Sequence, residues 1–397
     1  MKNIYIFLQI LLLFFITEIR GQIQFRNEEL ITLDVRMNYS STKELIFQDL
    51  FDVEYIVLET NNEFLNQGKV RDIGNEIILV TNIIQDGDIF VYERNGKALR
   101  KINHKGQGPR DYINILGIAL DENNNEMFVN DSYSKKIIVY DLLGNFKRSF
   151  EHKTYISNLL GGGESGQGFY TEIRNYDKDN LICYDEFNNE ISFYLISKHD
   201  GNITREIKIP FKEKLFYGQF RRDNSGRPSG ASAGPVKSII PTKSNWMLLE
   251  YSSDTIYSLL PDYNLCPIIA RIPSLKSMNP EVFLMIGFVS NCYYFMETIQ
   301  NEYNWNTKRG FPRTYLMYDK QEKTFSGYKV YNGDYITKKA VNMMGFNILN
   351  IGSWQRIEAH QLVEDYKAGI LNNGKLKEIA SKLDQEDNPV IMLTKHK

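Results

Sequence analysis

One hairpin pattern recurs along the sequence, and its recurrence limits the chain to a small set of folds. Residues 89–102 and 137–150 match position by position, so that Gly96 and Gly144 occupy the same place in the turn. Looser copies follow at residues 192–209, 255–272 and 314–330. Repeats of this kind indicate solenoids or propellers, in which each unit buries its apolar faces against its neighbours. Five copies and a closing unit predict six blades.

The segment Lys105–Phe150 shows what one complete repeat contains. Alternating apolar residues from Ile113 to Ala119 predict a first strand, and the polar run at 121–125 predicts a turn because Asn and Asp accept positive φ angles. Three further strands are predicted at Met127–Val129, at Ile137–Tyr140 and between Gly144 and Phe150. Four short antiparallel strands in one such segment make one propeller blade.

The same segment carries a recognisable motif. It opens with GQGPRDY at 106–112, continues with VND at 129–131 and IIVYD at 137–141, and then reaches a glycine turn. In these features it resembles the NHL-like six-bladed propellers of exported proteins from gut Gram-negative bacteria. This chain has Arg110 and Asp111 where that family more often has Gly-Glu. The resemblance implies a propeller over most of the mature chain, and it implies no particular activity.

Two strand-like runs, residues 30–35 and 389–393, have no partner nearby in the sequence. We predict that they pair with each other in the last blade and close the ring, because an open ring would expose two strand edges. An apolar period of helical type over 357–384 predicts a short C-terminal helical embellishment. The predicted fold is therefore an all-β, six-bladed β-propeller occupying residues 22–397.

The first 21 residues predict a secretory signal peptide. Lys2 precedes an apolar run over residues 4–16, and Gly21 supplies the small residue expected at a cleavage site. The run is too short to span a membrane. The first cysteine is Cys183, so the cysteine that a lipid anchor requires at the mature N-terminus is missing. We expect a periplasmic or extracellular protein with no membrane span and no lipid anchor.

Composition and motifs exclude several classes of function. The net charge is −2 and there is no basic run, which argues against nucleic-acid binding. The three cysteines are expected to be buried small hydrophobes, and without Cys-x-x-Cys or paired-His spacing we expect no metal and no cofactor. Residues 161–166 satisfy G-x-G-x-x-G, but strands follow them and not a helix, so we interpret them as an inter-blade loop.

The histidines are only a weak indication of a metal site. His104 and His152 each follow the outer strand of a predicted blade, where the chain returns towards the axis. Propellers can hold a metal with histidines from several blades, but ordinary surface histidines are the better interpretation of this pattern. No nucleophile signature is present, and we assign no catalytic residue.

Two insertions between predicted strands give the best binding candidates. Residues 220–235 are rich in Gly, Ser and Pro with three arginines, and residues 303–313 mix aromatics, amides and arginines. Planar aromatics with arginine suit sugar rings and anionic groups. The predicted ligand-binding residues are Tyr303, Trp305, Arg309, Arg313, Arg221 and Arg222. The alternative is that Trp305 and Phe311 only pack under a long hairpin.

These observations predict an exported binding protein whose ligand lies on one face of the ring. Its expected partner is a saccharide, a peptide or an envelope protein. Two alternatives stay open: a lyase or hydrolase with its site in the central channel, and a structural component of an envelope complex. A cluster of His and carboxylates at the axis would favour the enzyme, whereas a large apolar surface patch would favour the structural role.

Overall fold

The computed structural model describes most of the chain, and strands dominate it. The described residues are 29–39, 41–156, 166–222, 226–235, 237–243, 245–348 and 352–396. They form six sheets of four or five strands and three two-stranded hairpins, arranged as a six-bladed propeller. The predicted signal peptide and most of the glycine-rich segment 161–166 lie outside these residues.

The first strands of the chain belong to blades that are completed much later. These elements are β1 (Ile31–Asp34), β2 (Thr42–Ile46), the helical turn α1 (Phe47–Leu50) and β3 (Phe51–Val57). β1 pairs in parallel with the outermost strand of the fourth blade, and β2 does the same on the fifth. β3 is the outermost strand of the sixth blade. The N-terminal segment therefore runs around three consecutive blades as a belt.

The first three blades each contain four strands in sequence order, starting from the axis. The first has β4 (Lys69–Ile73), β5 (Ile77–Thr81), β6 (Asp88–Glu93) and β7 (Ala98–Asn103). The second has β8 (Gly117–Asp121), a 3-10 turn (Glu122–Asn124), β9 (Glu126–Asp131), β10 (Lys136–Asp141) and β11 (Phe146–Glu151). A small hairpin of β12 (Tyr155–Ile156) and β13 (Gly166–Gln167) precedes the third, which has β14 (Glu172–Asn175), β15 (Asn180–Tyr184), β16 (Phe193–Ser197) and β17 (Ile203–Ile207).

The last three blades carry the insertions. A hairpin of β18 (Gly218–Arg222) and β19 (Pro228–Ser232) leads to the fourth blade, with β20 (Ile239–Pro241), β21 (Trp246–Leu248), β22 (Thr255–Leu259) and β23 (Leu265–Ile272). After a 3-10 turn (Leu275–Ser277), the fifth has β24 (Val282–Val289), β25 (Tyr293–Gln300), a hairpin of β26 (Tyr303–Asn304) and β27 (Arg309–Gly310), β28 (Arg313–Asp319) and β29 (Thr324–Tyr331). The sixth has β30 (Phe346–Ile348), β31 (Gly352–Ile357), α2 (Ala359–Lys367), α3 (Lys375–Ala380) and β32 (Val390–His396).

Antiparallel pairing sorts the connections onto two faces of the ring. Links between blades, and between the second and third strands of a blade, lie on what we call the upper face. Links between the first and second strands, and between the third and fourth, lie on the lower face. Both insertion hairpins and both C-terminal helices are therefore on the upper face.

The repeated hairpins are confirmed. All five predicted copies form the third and fourth strands of blades one to five. Gly96 and Gly144 turn with φ of 91° and 93°, a region that L residues rarely occupy. A Cβ at Gly96 would lie only 2.0 Å from the Val57 carbonyl oxygen. Glycine at this position therefore also allows β3 of the sixth blade to pack closely against the turn.

The predicted first strand of the second blade was placed too early. β8 begins at Gly117 and not at Ile113. Much of the intervening backbone bonds to side chains: the Ile113 amide donates to Asp131 at 2.8 Å, and the Arg71 guanidinium donates to the carbonyls of Ile115 and Leu116. Only the Leu116 amide, next to β8, donates to a neighbouring strand, at the Asn130 carbonyl of β9. Alternation alone cannot distinguish such an extended connection from a strand.

The predicted pairing of 30–35 with 389–393 is wrong, although the C-terminal run does complete the last blade. β1 lies on the fourth blade because its buried Leu33 joins the apolar core there. The partner of β32 is β3, in register from Phe51–His396 to Val57–Val390. Asn388, fully buried, fixes this junction: its side chain accepts from the Asn66 amide at 2.7 Å and donates to the Phe64 carbonyl at 2.6 Å.

The helical embellishment is confirmed and packs on the sixth blade. Leu362 of α2 and Leu376 of α3 share an apolar cluster with Val390 of β32. No helix in the described part of the chain is long and apolar enough to cross a membrane.

The expectation for the cysteines holds only in part. All three cysteines lie in the described part of the chain, and none of them forms a disulfide. Cys183 is buried, whereas Cys266 is half-buried and Cys292 is exposed, because it lies in the short lower-face turn between β24 and β25 and not in a strand.

Candidate functional site

Each of the two insertions contains a short β-hairpin. Although residues 220–235 are rich in Gly, Ser and Pro, β18 and β19 pair antiparallel from Gly218–Ser232 to Arg222–Pro228. β26 and β27 form a second, shorter hairpin. We call the surface formed by these two hairpins the two-hairpin surface.

Side chains from the two hairpins meet directly. The Arg221 guanidinium carbon lies 4.5 Å from the centre of the Trp305 ring, which is cation–π geometry. Beneath it, Gln219 donates to the Asn301 carbonyl at 2.6 Å. The structure thus brings together two insertions that are far apart in the sequence.

The aromatic residues of the second hairpin have different roles. Phe311 is buried, with a φ of 57°, and its ring lies 5.5 Å from that of Tyr303. Tyr303 in turn packs edge-on against Trp305 at 4.9 Å. Trp305 is only half-buried. The packing alternative therefore describes Phe311, while Trp305 keeps part of its surface open.

The arginines divide into held and free groups. Arg313 donates to Glu297 and to the Ala233 carbonyl, each at 2.5 Å, so it links the fifth blade to the first hairpin. Arg222 donates to the Gly226 carbonyl at 3.1 Å. The Arg309 side chain is exposed and has no hydrogen-bond or ion-pair partner among the residues that the structure describes. Arg309 is thus the guanidinium most available to a ligand.

Sequence reasoning missed the charged residues beneath this surface. Glu297 is 4% exposed and is the one charged residue of β25, and it holds Arg313 in place. Burial lowers the pKa of the nearby Lys237 to about 8, although the carboxylate of Glu297 opposes that change. A lone glutamate inside the run YYFMETIQ was the available signal, since a buried carboxylate needs a partner.

A second buried pair supports the upper face beside the hairpins. Lys214 lies 2.6 Å from Glu250, and both side chains are almost completely buried. The Lys214 ammonium also lies 5.2–5.4 Å from the ring centres of Tyr184, Phe211 and Tyr251. These contacts anchor the connection that leads into the first hairpin.

The two histidines that follow outer strands are packing elements. His104 stacks on Tyr140 at 4.8 Å and bonds the Gly144 carbonyl. His152 is buried, where its Nδ1 accepts from the Tyr170 amide at 3.2 Å. Burial lowers the pKa of His152 to about 3. Within the described ranges, no three His, Cys, Asp or Glu side chains are grouped to hold a metal ion.

Comparison with solved structures finds the same architecture. A protein from Bacteroides fragilis that has been inferred to be exported superposes with a TM-score of 0.59 at 16% identity, covering 93% of this chain and 100% of that one. A member of the DUF4221 family from Bacteroides vulgatus covers 88% of this chain and 99% of its own at 10% identity, with a TM-score of 0.45. At 16% identity, the superposition on the Bacteroides fragilis protein shows the fold alone.

Comparison by sequence identifies a family but no curated relative. No curated protein matches the chain. Residues 30–395 match a family described as a domain of unknown function, DUF4934. The match begins at the belt and ends in the last strand, so it spans all six blades. The chain therefore belongs to the DUF4934 family.

Proposed function

We propose that this protein is an exported binding protein that holds an acidic saccharide on the two-hairpin surface. The observation that carries this proposal is the contact of Arg221 with Trp305, because it combines two insertions from different blades into one surface. Loops positioned by a rigid scaffold are where binding residues concentrate.

The charge of the surface supports an anionic ligand. Residues 218–232 and 302–313 together carry six Arg or Lys against two Asp or Glu, whereas the whole chain has a net charge of −2. Such a local excess attracts anions from a distance. Arg309 and Arg221 can then donate to carboxylate or sulfate oxygens in a planar, bidentate manner.

The aromatic content supports a saccharide. Trp305 offers part of an indole surface to solvent, and a sugar ring can lie against such a surface with its apolar C–H face. Asn304 and Asn306 flank it and supply amides that suit sugar hydroxyls.

Export is part of the proposal. The sequence of residues 1–21 supports cleavage after Gly21, and the similar Bacteroides fragilis protein has been inferred to be exported. The mature protein would then act in the periplasm or outside the cell. N-terminal sequencing of protein recovered from those fractions tests this directly, and a start at Met1 would contradict it.

An array of uronate, sulfated and neutral glycans, together with acidic peptides, tests the ligand class. We expect the wild type to bind acidic glycans in preference to neutral ones and peptides. Trp305→Ala should lose most of this binding. Tyr133→Ala is the matched control, because Tyr133 is 74% exposed on the same face in the second blade. Binding confined to peptides, or equal for Trp305→Ala, would contradict the proposal.

A further inference from the structure

A cleft lies on the lower face of the ring, whereas the two-hairpin surface lies on the upper face. It opens in the lower half of the gap between the fourth and fifth blades and has a volume of about 630 Å³. This volume is within the range of small-molecule sites. The cleft is lined by Glu29, Leu30, Ile31, Thr32, Ile268, Tyr294, Tyr318, Lys320, Lys323 and Phe325.

One wall is a row of three aromatic rings. Tyr294, Tyr318 and Phe325 occupy directly opposite positions on β25, β28 and β29. The two tyrosine rings are 6.5 Å apart and tilted by 24°, and Phe325 lies 4.9 Å from Tyr318. In-register pairing thus builds a continuous aromatic surface across three strands of one blade.

The other side is aliphatic and comes largely from the belt. Ile268 of β23 belongs to the fourth blade, and Ile31 and Thr32 belong to β1, which pairs with β23 at Ile31–Ile269 and Thr32–Ala270. β1 therefore adds a fifth strand to the fourth blade. This strand gives the gap a second side, so that the cleft is a slot. A slot with one aromatic and one aliphatic side suits a flat ring.

Two lysines lie at the edge of this slot. The Lys320 ammonium is 4.0 Å from the centre of the Tyr294 ring and donates to the Ser290 carbonyl at 2.7 Å. Lys323 pairs with Glu29 at 2.9 Å, with both side chains mostly exposed. An exposed pair of this kind is weak, so a ligand carboxylate can replace Glu29 at little cost.

We propose that this cleft binds a planar aromatic ring bearing a carboxylate. The ring enters the slot against Tyr318, and the carboxylate meets Lys323 at the rim, with Lys320 adding positive charge behind it. The site shares no residue with the two-hairpin surface and does not depend on its function.

The test uses 4-hydroxybenzoate and its uncharged counterpart 4-hydroxybenzamide with the full mature chain. Saturation-transfer NMR detects binding, and calorimetry measures affinity. We expect the acid to bind and the amide to bind about threefold more weakly or worse, the scale of one exposed ion pair. Failure of both compounds to bind at about 10 mM would overturn the proposal. Equal binding of the two would overturn the role of the lysines.

Three variants locate the site. Tyr318→Leu keeps bulk but removes the central ring, and we expect it to weaken binding by about 3- to 10-fold. Thr32→Trp fills the slot from an exposed belt position without removing a core residue, and it should weaken binding comparably. Tyr133→Leu should change nothing. Unchanged affinity in Thr32→Trp would overturn the proposal even if Tyr318→Leu is unstable.

Discussion

The guanidinium of Arg221 lies 4.5 Å above the ring of Trp305, and the two residues belong to insertions of different blades. A cation–π contact at a partly exposed site contributes about 0.5–1 kcal/mol. It also holds both side chains in one orientation before any ligand arrives. A pre-ordered surface loses less conformational entropy on binding than two independent loops would.

Replacing Trp305 with alanine tests whether this side chain contributes to ligand binding or to the stability of the fold. Trp305→Ala should weaken binding of an acidic glycan by about 1–3 kcal/mol, which is the scale of interface aromatics. The melting temperature should change little, because Phe311 and not Trp305 anchors the hairpin core. Titration calorimetry and thermal melts measure the two effects. A large drop in melting temperature with unchanged binding would make Trp305 a packing residue.

Arg309 of the second hairpin and Arg313, the first residue of β28, should behave differently. Arg309→Ala should leave stability within about 0.5 kcal/mol and reduce glycan affinity, because Arg309 is exposed and unpaired among the described residues. Arg313→Ala leaves the buried carboxylate of Glu297 without its cation and should cost about 2–3 kcal/mol of unfolding free energy. Urea unfolding of both variants compares them. Equal stability would mean that the Glu297 pair contributes nothing.

Ring closure can be tested at a single side chain. Asn388→Ala leaves the Asn66 amide without its buried acceptor, and such a loss costs about 1–3 kcal/mol. The Phe64 carbonyl loses its shortest bond but keeps the Tyr92 hydroxyl at 3.2 Å. We therefore expect a loss of about 1–3 kcal/mol in unfolding free energy. Asn373→Ala, in the exposed link between α2 and α3, is the matched control. Similar stability of the two variants would show that this junction does not secure the last blade.

His152 should make stability depend on pH. Burial keeps its folded-state pKa near 3, whereas the unfolded chain takes up the proton near 6.5. As pH falls between these values the unfolded state binds more protons, so stability should fall by up to about 1.4 kcal/mol per pH unit from this group. His152→Asn keeps an acceptor for the Tyr170 amide but cannot titrate. Parallel pH profiles of the wild type and His152→Asn would contradict the account.

Local patterns were enough to predict the blades and the helices. The hairpins around Gly96 and Gly144 follow from strand alternation and turn chemistry, which act over neighbouring residues. The boundary at Gly117 was misjudged because Ile113–Leu116 alternates like a strand yet bonds to Asp131 and Arg71. A local pattern does not show partners that are distant in the sequence, such as Arg71 of the first blade.

The belt and the site depend on long-range pairing. Nothing near residues 30–35 indicates that the fourth blade accepts a fifth, parallel strand, so the simpler closure with 389–393 was predicted and was wrong. The residue types at Arg221 and Trp305 were identified from composition. Their mutual contact depends on the placement of two blades around the axis, which the sequence alone does not reveal.

Hydrogen–deuterium exchange of the mature protein, with and without the acidic glycan that binds tightest on the array, reports where on the ring the ligand lies. We expect added protection in both hairpins, at 218–222 with 228–232 and at 303–310, and none in the lower-face turns. Protection confined to other parts of the ring, or the absence of any acidic glycan that binds, would contradict the assignment of the two-hairpin surface.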